Sequence, residues 1–177
     1  RTQSNPQLIK PRPCPKPGTT TTITLTESLR ARPQKYNYSA DQTYPAAKPW
    51  TGKPIAQMGK DVAAGYAAAA TSANVTGVVP VGLAWNRAFE TGVADDNPYD
   101  GIAAGKVDLW THDHYHASVY GYYLEALLVF GRVTGKDPLS LGENETVADD
   151  MGFSKAQTKA LQQVAHDQLA ASNKLGQ

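Results

Sequence analysis

A single cysteine, Cys14, in a chain of 177 residues excludes an internal disulfide framework. An excess of either charge is missing as well. The 17 Lys and Arg against 16 Asp and Glu leave a formal net charge of +1, with no basic stripe and no acidic tail. A nucleic-acid partner is therefore not expected, because phosphate neutralisation needs clustered cations. No apolar run approaches the roughly 20 residues that cross a bilayer, so no membrane span is expected. The start of the chain is basic and broken by prolines, unlike a signal peptide. The compartment stays unknown, with a secreted or periplasmic setting as the expectation. No internal repeat is visible.

What is present divides into a proline-rich start and a folded remainder. Pro6, Pro11, Pro13, Pro15 and Pro17 block regular hydrogen bonding, so residues 1–22 read as an extended N-terminal segment and residues 23–177 as one domain. Thr22 to Thr26 alternates polar and apolar residues and reads as a short strand. Ser28 lies just past it without the Gly-x-Ser-x-Gly setting of an activated serine, and a turn-capping hydroxyl is the plainer account. Between Pro33 and Pro54, Tyr36, Tyr38, Tyr44 and Trp50 alternate with prolines: the wall of a cleft or a rigid cover.

Apolar spacing then predicts helices over 55–73, 83–91, 117–134 and 154–172. In the first, Ile55, Met58, Val62, Tyr66 and Ala70 form one stripe, and the many alanines suggest close packing on a sheet. Gly77 to Gly82 reads as a buried parallel strand, although Pro80 argues against a central position. Asp95, Asp96, Asn97 and Asp100 cluster in a turn-rich stretch. Calcium is one reading; Asx-type turns explain the residues more simply. Ser154 is placed to cap the last helix, and His166 stands alone on it.

The richest stretch runs from Leu109 to Ser118 and holds three of the four histidines. Asp113 and His116 are three apart, within reach of each other in a turn. A carboxylate on one ring nitrogen fixes the tautomer and leaves the other to take a proton, as a general base requires. His112, His114 and His116 also alternate, so in an extended segment they would project from one side. Three such ligands plus water is a zinc arrangement. A third reading makes the cluster only the polar entrance to a helix in a structural or binding module.

Asp113-His114-Tyr115-His116-Ala117-Ser118, then Gly121-Tyr122-Tyr123-Leu124, then Gly131 to Pro138, resembles the last block of the SGNH (GDSL-like) hydrolases of bacterial type. The resemblance extends over Ile23 to Val164 and is best from Gly77 to Gly135. It takes in Arg32-Pro33 and Val79-Pro80-Val81-Gly82 ahead of Ala84-Trp85. It implies a three-layer α/β/α sandwich with a parallel sheet, of which this chain is the C-terminal part. It also implies ester hydrolysis by a Ser-His-Asp mechanism with His116 as base, Asp113 as its orienter, and no cofactor. The family's Gly-Asp-Ser and Gly-x-Asn-Asp blocks are absent. The serine and the oxyanion donors are thus expected from another segment or a second polypeptide. An acylated carbohydrate or a lipid is the expected substrate. Two strands are too few for a sheet layer, which again calls for a completing partner.

Overall fold

The computed structural model describes residues 22–24, 54–75, 77–97, 100–114 and 116–174. Most of the proline-rich segment, Cys14, Ser28, Arg32 and the aromatic–proline stretch up to residue 53 lie outside the described residues.

The first described helix, α1 (Ile55–Ser72), starts straight after Pro54, whose fixed φ suits the position before a helix. It ends where Asn74 turns into the left-handed region at φ 53°. Strand β1 (Thr22–Thr24) pairs in parallel with β2 (Gly77–Val79), with Ile23 opposite Val78. The chain then turns directly into α2 (Val81–Glu90). A hairpin-like stretch leads to α3 (Val119–Thr134), followed by a 3-10 turn at Pro138–Leu141, α4 (Thr146–Asp150) and α5 (Lys155–Lys174).

The expected three-layer sandwich with a parallel sheet is overturned. The described residues are mostly helical, and their strands are two segments of three residues each. The physical reason lies at Pro80. The apolar run from Gly77 to Gly82 has the pattern of a strand, but Pro80 has no N–H for a ladder, and β2 stops before it. Val81 and Gly82 become the first turn of α2, buried against the other helices. The alanine-rich α1 is corrected in the same sense. Met58, Gly59 and Ala70 are buried, whereas Ala64, Ala67, Ala68 and Ala69 are exposed rather than packed on a sheet.

The core is built by helices and one loop. Ala84, Trp85 and Ala88 of α2, Leu124, Leu127 and Leu128 of α3, and Leu161, Val164 and Ala165 of α5 converge on Leu109 and Trp110. Trp110 stacks on Phe89 at 5.3 Å and meets Trp85 edge-on at the same centroid distance. Aromatic contacts of these geometries add to simple area burial. The buried polar groups of α5 find partners. Gln162 donates to the Gly142 carbonyl at 2.8 Å, and Gln168 accepts from Arg87 Nε at 3.1 Å. Ser154 and Gln157 close a reciprocal capping box at the start of α5. Among the described residues no helix is long and apolar enough to cross a membrane.

Candidate functional site

Two buried anchors fix the histidine-rich turn. On one side Leu109 and Trp110 sit in the core. On the other, Ser118 caps α3: its hydroxyl oxygen accepts from the Tyr120 and Gly121 N–H groups and its O–H donates to the Asp108 carbonyl. Trp110 and Ala117 form an antiparallel bridge, and the Thr111 N–H donates to the His116 carbonyl at 2.8 Å. Gly121 lets the helix approach this stretch. A Cβ there would lie 2.5 Å from the Leu109 carbonyl oxygen and 2.7 Å from the Trp85 ring. The turn from Thr111 to His116 is thus held rigidly at its base and offered at its tip.

At that tip Asp113 is held by Thr111 and His116. Thr111 Oγ1 donates to Oδ1 at 2.5 Å, the His116 backbone N–H donates to the same oxygen at 3.0 Å, and His116 Nδ1 lies 2.5 Å from Oδ2. An ionised carboxylate only accepts, so Nδ1 carries the hydrogen and Nε2 is the basic nitrogen. The side chains are 64% and 37% exposed for His116 and Asp113, so a reactant can reach the ring. An exposed pair of this kind adds little to stability. Its chemical content is orientation: the carboxylate sets the tautomer and makes Nε2 the nitrogen that accepts a proton.

The other histidines go elsewhere. The segment is a turn, not extended, and His114 adopts the left-handed region at φ 55°, so alternate residues do not share a side. Among the described residues no group of three His, Cys, Asp or Glu side chains is placed to hold a metal ion. Burial pushes the Asp108 carboxyl up, opposed by the Trp110 N–H and by His114. The acidic cluster at residues 95–100 forms Asx-type turns. Asp95 accepts from the Asn97 and Ala103 N–H groups, and Asn97 donates to Asp100.

Among the described residues no serine is paired with His116. Ser118 is spent on its cap, Ser140 donates to the Asp137 carbonyl, and Ser172 to the Gln168 carbonyl. One pair escaped sequence reading altogether. His166, expected to stand alone, places Nδ1 2.9 Å from Asp137 Oδ1, beside a hollow of about 340 Å³ walled by Arg132, Lys136 and Leu169. Partners 29 residues apart leave no local signal. Thr111, the second side chain on Asp113, had a signal: a hydroxyl two residues ahead of a turn-forming aspartate.

No known family, no curated protein and no solved structure matches this chain. The likeness to SGNH hydrolases therefore rests on the residues quoted for it.

Proposed function

We propose that Asp113 and His116 are the proton-transfer half of an ester-hydrolysing site, whose nucleophilic serine comes from another segment or a second polypeptide. The observation that carries this reading is the 2.5 Å contact between His116 Nδ1 and Asp113 Oδ2 on a turn whose ring faces solvent. Asp113 holds the ring so that Nε2 takes the proton of an attacking hydroxyl and returns it to the leaving alcohol. Thr111 and the His116 N–H hold the carboxylate in turn. The reading needs the turn and its anchors, not the sandwich that the described residues lack.

The test uses the protein purified together with every polypeptide that accompanies it. A fluorophosphonate probe labels the serine, on whichever chain it lies, and aryl esters of graded acyl length report turnover. Asp113→Asn is expected to lower turnover by about 10⁴-fold, the scale on which removing such an orienting carboxylate acts. His116→Ala is expected to abolish both labelling and turnover while far-UV dichroism stays unchanged. Full labelling and turnover in His116→Ala would remove the pair from the chemistry.

A further inference from the structure

Helix α3 is apolar on two sides. Tyr123, Leu124, Leu127 and Leu128 face the core. On the other side Val119, Tyr122, Ala126, Val129 and Val133 recur at steps of three, four, three and four. Val119, Tyr122 and Val133 are 50%, 53% and 67% exposed; Ala126 is exposed, and Val129, at the edge of this face, is half-buried and also packs against the core. A helix that shows one face to water normally makes that face polar. This face carries instead the spacing of a coiled-coil seam, over about 21 Å at 1.5 Å per residue.

The residues beside the seam say what fits it. Glu125 and Arg132 lie seven apart on the same flank, each just ahead of a seam residue. Turning a second copy of the helix end for end brings like flank to like flank. With Tyr122 opposite Val133 of the second copy and Ala126 opposite its Val129, Glu125 faces Arg132 of that copy, and Arg132 faces its Glu125. A parallel partner would set Glu125 against the apolar Phe130. Burial already pushes the Glu125 carboxyl up, and a guanidinium opposite offsets such a burden. The Arg132 guanidinium lies over Gly77 of β2, and with five donors it has capacity for a carboxylate of a second copy as well. The small Ala126 near the middle lets two backbones come close.

We infer that α3 is a homodimer interface, pairing antiparallel with α3 of a second copy through Val119, Tyr122, Ala126, Val129 and Val133, with two reciprocal Glu125–Arg132 pairs. The inference is independent of the hydrolytic reading. A seam of two heptads is at the small end of specific contacts, so dissociation in the micromolar range is expected.

Sedimentation equilibrium in reducing buffer, which silences Cys14, tests it between about 1 and about 200 μM. The mass is expected to rise from one chain to two. Ala126→Glu should raise the dissociation constant by about 100-fold, because the seam would bury two carboxylates against apolar groups. Glu125→Arg and Arg132→Glu should each raise it about tenfold, and the two together should return it to within about threefold of the starting value. Dichroism reports whether each variant is folded; should Arg132→Glu lose helix, Tyr122→Lys gives the same reading as Ala126→Glu at a second exposed seam position. A mass of one chain throughout, a dimer indifferent to Ala126→Glu and Tyr122→Lys, no recovery in the folded double variant, or a different polypeptide on the seam would each overturn the inference.

Discussion

Asp95 shows what a single buried carboxylate does in this chain. Burial raises its pKa, but the N–H groups of Ala103 and Asn97 and the charge of Lys106 outweigh that and hold it below the usual value. A carboxyl depressed in the folded state contributes stability above its unfolded pKa and loses it as the pH falls through the folded one. Unfolding free energy is therefore expected to drop as the pH falls below about 4. Asp95→Asn should flatten part of that slope and cost about 1 to 2 kcal/mol at neutral pH, read by urea titration at several pH values. His116 and Asp113 differ in kind. Their pair is exposed, so its loss belongs in an activity measurement and not in a melting curve.

At the scale of elements, one hydroxyl joins the candidate site to the core. Ser118 caps α3 and at the same time ties the returning strand of the turn to Asp108. Ser118→Ala is expected to cost about 1 kcal/mol of stability through the lost cap, with amide exchange rising at Tyr120 and Gly121 before the rest of the helix. The same residue explains where sequence reading of this helix slipped. Apolar spacing alone extends it back to Ala117, but a serine whose side chain takes two N–H groups must stand outside the helix, so it begins at Val119. At the other end Gly135, with φ 69°, closes the helix as its lack of a side chain allows. The run around Val79 slipped further. Its apolarity was legible, but strand and buried helix share that signature over so few residues, and Pro80 decided between them.

For the molecule as a whole, the four longer helices were legible because each repeats its apolar period, whereas the five residues of α4 are too few to show one. Their arrangement was not. Nothing local says that α5 packs on α2 through Gln168 and Arg87, or that Asp137 meets His166. If two copies join along α3, folding and association are linked, and mass action makes the melting temperature depend on concentration. Diluting the protein from about 100 to about 1 μM should then lower the melting temperature by a few degrees, and Ala126→Glu should remove that dependence. A melting temperature that ignores dilution in the unaltered protein would count against the pairing.

The sequence by itself determined the four longer helices, the cap at Ser154, and the closeness of Asp113 to His116, because each depends on residues within a turn or two of one another. Tertiary structure decided that helices and not a sheet layer make the core, that the three alternating histidines part company, and that α3 keeps a second apolar face outside. Those outcomes turn on which surfaces meet across long stretches of chain, and apolar periodicity specifies that a face must be covered without specifying by what.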